Sequence, residues 1–486
     1  MSRFKEIEKF QAPPQGGYQL LPFRFTALEP EVYVATNLAG EYHLLRSDAL
    51  CALVHHELSP RSADFIDLRA KHFVTDSRSN VSTDLLALKV RTRYRTLAEF
   101  TALHIFVVTL RCEHSCPYCQ VSRQTQDRAA FDMTRETADK ALNFVFRSPS
   151  TNIKIEFQGG EPLLNFEIIQ YIVTAAEQRN LSKRRNLRFV IATNLAEATE
   201  DILRFCADHS IDISTSLDGP QDLHNQNRPR PGRNSHQKAV EGISLARRVV
   251  GRDRVSALMT TTAKSLDRVK DIIDEYVRLE FPGIFLRPLS PYGFAVKTNA
   301  IAAYSVVRWL EFYKEGLEYI LHLNRLNIPF REFYASVILR KMLTSEPSGF
   351  VDLVSPAGIG IKAIVYNYDG VVYASDESRM LAEMGDMTFR LGQLATDTYE
   401  QVMLCDNLLG PIEASMTTSV PMCDECAFEP YCGADPVYHH AVYGDVVGRK
   451  PESAFCARNM GIFRYLITKM RDEPTTKQLF MRWANS

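Results

Sequence analysis

Apolar and polar positions along this chain follow two rhythms. From about residue 103 to about residue 290, short apolar runs of strand length alternate with stretches in helical spacing. The runs His104 to Thr109, Ile153 to Phe157, Leu187 to Thr193, Asp212 to Leu217, Val255 to Thr261 and Gly283 to Leu286 predict strands. Between the first two, Ala138, Ala141, Leu142, Val145 and Phe146 recur at i, i+3, i+4, i+7 and i+8, the apolar stripe of a helix. Ile169, Ile172, Val173 and Ala176 repeat the device after the second run. Successive strand-helix units imply an α/β architecture: a parallel sheet with crossover helices, a (βα)6 part of a TIM-type barrel, with its chemistry at the carboxyl ends of the strands.

The flanking segments read differently. Before residue 100, strand-like Val32 to Ala35 and Tyr42 to Leu45 surround the turn at 37–40. Ser47 is placed to cap a helix through Leu53, and Ser59, followed by Pro60, another through Arg69. A helical stretch from Tyr304 to about Leu326 leads to an irregular, cysteine-rich end. The expected domains are 1–100, 101–334 and 335–486, in keeping with a prior of roughly 150 residues per domain. There is no repeat of fixed period and no low-complexity tract.

Charge adds mainly exclusions. With 57 basic and 58 acidic residues, the net charge of -1 gives no reason to expect nucleic acid or an anionic membrane as partner. The opening MSRFKEIEKF lacks the apolar core of a secretory signal, and no apolar run reaches the roughly 18 residues of a membrane span, so a cytoplasmic location is expected. The ten cysteines are clustered, which in a reducing compartment points to metal ligation.

Cys112, Cys116 and Cys119 stand in a CxxxCxxC loop directly after the first barrel strand. Three thiolates on one loop can hold three irons of a cubane cluster and leave the fourth open; a zinc loop with His114 as fourth ligand is the alternative. With Tyr118 before the third cysteine, the loop resembles that of the radical S-adenosylmethionine (SAM) superfamily. The resemblance implies a [4Fe-4S] cluster whose open iron binds SAM, which is cleaved reductively to methionine and a 5'-deoxyadenosyl radical. It also implies that Gly159-Gly160-Glu161-Pro162, after the second strand, is the family's GGEP motif and receives the methionine amine. Ser216 and Arg228 would bind the SAM carboxylate, a task suited to a hydroxyl and a guanidinium fork, and Asn194 the ribose. A turn former or a surface charge is the plain alternative for each single residue.

Cys423, Cys426, Cys432 and Cys456 resemble the SPASM extension of peptide-modifying members. The family pattern has seven cysteines and two auxiliary clusters, but here Ser375 and Pro436 stand at two of those positions, and no cysteine lies near Ser355. The four retained positions are those that ligate the second cluster in the family, which implies one auxiliary [4Fe-4S] cluster; zinc suits four thiolates equally well. Cys405 reads as structural or as completing a partial cluster, and Cys51 and Cys206 as buried free thiols. Asp376 matches the place where sulfatase-activating relatives have a proton-accepting aspartate, with a turn aspartate as the alternative.

The amino-terminal segment resembles a winged-helix-like module that grips a precursor's leader. Leu21-Pro22-Phe23-Arg24-Phe25, Val121-Ser122-Arg123-Gln124, Glu156 to Pro162 and Cys432-Gly433-Ala434-Asp435-Pro436 resemble the radical SAM maturases of His-Xaa-Ser systems. The resemblance implies an oxidoreductase that modifies a ribosomally made peptide, with a flavodoxin- or ferredoxin-type electron donor and a second radical SAM maturase as partners. A formylglycine-generating sulfatase maturase and a non-catalytic iron-sulfur scaffold or electron carrier remain as competing functions.

Overall fold

The computed structural model of the protein describes residues 17–76, 80–346 and 350–485; the opening MSRFKEIEKF lies outside them. Five strands follow one another in parallel: β1 (Leu103–Thr109), β2 (Asn152–Gly159), β3 (Asn186–Thr193), β4 (Ile211–Ser216) and β5 (Val255–Leu258). Strand β1, LHIFVVT, is buried along nearly its whole length, as expected of a central parallel strand covered on both faces. The crossover helices are α1 (Arg135–Val145), α2 (Phe166–Lys183), α3 (Glu200–Asp208) and α4 (Ser235–Val249), and α5 (Val269–Arg278) follows β5. The anticipated stripes of α1 and α2 are the faces these helices bury against the sheet. Thr134 starts α1 by accepting a hydrogen bond from the Thr137 amide.

The sixth expected strand departs from this plan. Gly283–Ile284 forms a two-residue parallel ladder with Arg331–Glu332 and does not join the main sheet. Pro282 and Pro288 bracket it and, without amide donors, limit the ladder to a few bonds. The expected fifth strand likewise stops at Leu258 instead of Thr261.

On the other side of β1 the sheet continues with strands from the tail. Strand β6 (Ala363–Tyr366) pairs with β1 in parallel, and β7 (Val371–Tyr373) and β8 (Arg390–Gln393) follow antiparallel. The result is an eight-stranded, mostly parallel sheet in the order β5-β4-β3-β2-β1-β6-β7-β8. Around it lie α6 (Val306–Arg325) and α7 (Phe333–Leu343), then α8 (Asp376–Ala382), α9 (Pro436–Tyr443) and α10 (Ala454–Asp472).

The amino-terminal module is a three-stranded antiparallel sheet, Phe23–Glu29, Val32–Asn37 and Tyr42–Arg46, followed by helices Ser47–Val54 and Ala63–Ala70. The second of these helices starts later than Ser59-Pro60 suggests. Its cap is Ser62, which accepts from the Phe65 amide. Among the described residues no helix is long and apolar enough to cross a membrane.

Candidate active site

A cavity of about 550 Å³ opens at the carboxyl ends of β1 to β5 and is closed on the far side by residues from the tail. Cys112, Cys116, Cys119, Gly159, Gly160, Asn194, Ser216, Arg228 and Asp376 all line it. Residues far apart in sequence but expected at one site therefore share one space.

The cysteine loop is pinned from outside itself. The Ser115 amide donates to the Pro229 carbonyl at 2.8 Å, the Phe294 amide to the Cys119 carbonyl at 2.8 Å, and Gln126 Nε2 to the Cys112 carbonyl at 2.8 Å. Burial pushes the Cys116 thiol up to about 12 and the Cys112 thiol up as well. Such thiols bind as thiolates when a metal's positive charge displaces their protons. Three half-buried thiols facing a cavity fit an iron-sulfur cluster with room beside it for a further ligand. The zinc arrangement fits less well. Among the described residues the compact ligand group is Cys112, Glu113 and His114, within 4.8 Å of one another, and it leaves out Cys116 and Cys119.

The two glycines have a reason the sequence did not disclose. A Cβ on Gly159 would stand 2.0 Å from the Thr109 carbonyl oxygen, and one on Gly160 2.2 Å from that of Arg111. The obstacle is the chain's own backbone at the base of the cysteine loop. The Gly160 amide bonds to Thr109 O at 2.9 Å and the Glu161 amide to Arg111 O at 2.7 Å, so the motif clamps the base of the loop. Glu161 is buried behind this clamp. It accepts from Thr193 Oγ1 (2.6 Å), the Asn194 amide (2.8 Å) and the Leu163 amide (3.0 Å), and burial, reinforced by Glu113, pushes its carboxyl up to about 8. The Asn194 side chain donates to Glu113 Oε1 at 2.8 Å.

Arg228 is held by a residue that sequence reading passed over. Asp218, fully buried, accepts from Arg228 Nη2 at 3.1 Å and pairs with its Nε at 3.1 Å. The Tyr118 hydroxyl donates to the same carboxylate, and the guanidinium lies 5.6 Å from the centre of the Tyr118 ring. In Ser216-Leu217-Asp218-Gly219-Pro220 the aspartate reads as a turn former; only its burial reveals an anchor.

Both unexpected replacements in the tail have structural work. Ser375 caps α8: its hydroxyl accepts from the Ser378 amide at 3.2 Å, and the Ser378 hydroxyl answers to the Ser375 amide at 2.8 Å. Pro436 is the first residue of α9, where the Asp435 carboxylate accepts from the Tyr438 amide at 3.0 Å. Burial and then Glu377 push the Asp376 carboxyl up to about 7.

Cys423, Cys426, Cys432 and Cys456 are half-buried and near enough to disfavour one another's ionisation, with burial the larger cause. Cys426 Sγ accepts from the Phe428 amide at 3.4 Å and Cys432 Sγ from Asn459 Nδ2 at 3.7 Å. No three of the four lie within 4.8 Å, whereas tetrahedral zinc with bonds of about 2.3 Å draws its sulphurs to about 3.8 Å. Lys450 is buried and Lys341 half-buried beside these thiols, and burial draws Lys341 down to about 7. Cys405 stands before helix Asp406–Ala414 and Cys206 is buried, but Cys51 is exposed on its short helix, contrary to the expected burial, because it faces away from Leu50 and Leu53.

Residues 106–281 match the model of the radical SAM superfamily. An uncharacterized protein of Methanothermobacter thermautotrophicus is 28% identical over 178 residues, 36% of this chain and 64% of that one. Radical SAM cyclopropyl synthase TigE of Paramaledivibacter caminithermalis is 24% identical over 145 residues, 27% of this chain and 30% of that one. The chain thus spans less than two thirds of either relative. The solved structure of native anSMEcpe with bound AdoMet and Kp18Cys peptide is similar with a TM-score of 0.64 at 18% identity, covering 79% of this chain and 99% of that one. At that identity the likeness is one of fold. The segment from residue 106 to residue 281 is accordingly a radical SAM domain, set in an α/β fold like that of anSMEcpe.

Proposed function

We propose that this protein is a radical SAM enzyme that modifies a ribosomally made peptide, as an HxsB-type maturase of a His-Xaa-Ser system. The observation that carries the reading is the single cavity into which the cysteine loop, the glycine motif, Ser216 and Arg228 all open. In this reading Cys112, Cys116 and Cys119 hold a [4Fe-4S] cluster, and Gly159, Gly160, Glu161, Asn194, Ser216 and Arg228 receive SAM. The bound group supplies reductive cleavage of SAM to methionine and a 5'-deoxyadenosyl radical, which takes hydrogen from substrate. The chain's own residues fix the geometry. Asp218 holds the Arg228 guanidinium rigid, the glycine clamp sets the height of the cysteine loop, and the tail wall keeps water from the reacting groups. Asp376 is the proton acceptor on that wall.

Cys423, Cys426, Cys432 and Cys456 hold one auxiliary [4Fe-4S] cluster in a SPASM-like domain from residue 335 onward. The amino-terminal sheet and helices act as a winged-helix-like grip on the precursor's leader. A flavodoxin- or ferredoxin-type donor supplies electrons in the cytoplasm, beside a second radical SAM maturase. A peptide substrate is supported by the peptide named with anSMEcpe and by the absence of charge suited to nucleic acid.

Anaerobic incubation of reconstituted protein with dithionite and SAM is the direct test. 5'-Deoxyadenosine should accumulate. Its absence, with the cluster verified by its iron content, would overturn the reading. Co-expression with a peptide encoded beside it should yield a peptide of altered mass.

A further inference from the structure

The tail side of the cavity carries charges that SAM binding does not use. Asp352, Glu377 and Asp435 reach it from three separate segments, together with Asp376, and Arg287 and Arg458 face them. Arg379 Nε lies 4.0 Å from Asp376, which leaves Asp352, Glu377 and Asp435 against two guanidiniums, an excess of one negative charge. Among the described residues neither arginine forms an ion pair within 4.0 Å with any of these acids, although Glu377 and at least one of the two arginines act through space on each of Asp352, Asp376 and Asp435. Burial and mutual repulsion push the Asp352 and Asp435 carboxyls up, Asp435 to about 6. Arg228 is matched by Asp218, Glu156 pairs with Lys154 at 2.7 Å, and Arg123 lies 5.7 Å from the Phe294 ring centre.

A second, independent feature points into the same wall. Tyr292 is 1% exposed and lines the cavity, yet its hydroxyl has no hydrogen-bond partner. A buried hydroxyl left unpaired costs about 1–3 kcal/mol. It sits within the field of Asp435, Glu377 and Asp352. The acids do not converge tightly enough for a metal ion. No three of their oxygens lie within 4.8 Å among the described residues, whereas calcium or magnesium draws its ligands to about 2.0–2.6 Å from one centre. A larger cation with several N–H donors suits this spacing.

We infer that this wall binds a cationic side chain of the substrate, an ammonium or guanidinium held among Asp352, Glu377 and Asp435 with the Tyr292 hydroxyl accepting one of its hydrogens. The site rests on the reading of the cavity as the place where a peptide is modified. It would orient the substrate by an ion pair on the tail wall while the bond to be broken faces the cysteine loop.

Binding can be measured without turnover. Capped pentapeptides, two glycines on each side of Lys, Arg, norleucine or Glu, are titrated calorimetrically into reconstituted protein with SAM and no reductant. The Lys or Arg peptide should bind about tenfold or more tighter than the norleucine and Glu peptides. Asp352→Asn should shrink that ratio, and Glu377→Lys should turn it toward Glu, a gain that misfolding cannot mimic. Equal binding of the Lys and norleucine peptides, no binding of either cationic peptide, or an unchanged preference in both variants would overturn the inference. Because binding is read without turnover, loss of the preference in protein that forms 5'-deoxyadenosine in the separate dithionite assay sinks only this pocket. The converse result sinks only the enzymatic reading.

Discussion

Single residues at this site do work that their neighbours in sequence do not announce. Gly159 and Gly160 stand out in the sequence, but the reason for them is the backbone of Thr109 and Arg111, at the end of the neighbouring strand β1 and just past it. Gly160→Ala should therefore act on the cysteine loop. We expect reconstituted Gly160→Ala to lose about four of its irons and 5'-deoxyadenosine formation to fall about 100-fold, read by iron assay and chromatography. Iron content equal to wild type with full activity would show that the clamp is dispensable. Ser375 and Pro436 are legible as missing cysteines, yet only the structure shows a capping hydroxyl and a helix-opening proline in their places. Asp218 was illegible because a turn aspartate and a buried anchor have the same letters around them.

At the scale of elements, the apolar rhythms mapped well onto β1 to β4 and onto α1 and α2, since a buried strand and a helix stripe each leave a local period. The sixth strand failed this reading because an apolar run does not say which edge it will pair with. Glu332, at the start of α7, shows the same dependence on packing. It is fully buried, accepts from the Tyr313 hydroxyl at 2.8 Å and the Leu286 amide at 3.1 Å, and burial pushes its carboxyl up to about 7. The folded protein thus keeps a proton that the unfolded chain releases above its ordinary range near 4.5. Unfolding releases that proton between the two values, so stability falls as pH rises from about 4.5 to about 7. Glu332→Gln should remove this slope. Melting curves from pH 5 to 7.5 should show wild type losing about 1–3 kcal/mol relative to the variant; parallel curves would mean the carboxyl is not perturbed.

For the whole molecule, the count of clusters is the clearest consequence of the cysteine set. Iron in the reconstituted protein should approach about eight atoms per chain, and the Cys112/Cys116/Cys119 triple alanine should keep about four. A wild-type value near twelve would sink the two-cluster reading. The three segments also hold one another. The Tyr431 hydroxyl donates to the Gly40 carbonyl at 2.7 Å, Arg24 pairs with Glu429 at 3.1 Å, and β6 extends the sheet beside β1. The sequence by itself determined the CxxxCxxC loop, the strand-helix order and the clustering of the tail cysteines, because ligand spacing and apolar period are local properties of the chain. Only the tertiary structure decided that the tail joins the sheet, that Asp218 anchors Arg228, and that Asp352, Glu377, Asp435 and Tyr292 share one wall. Burial and the meeting of distant segments depend on packing, and no short window of residues encodes them.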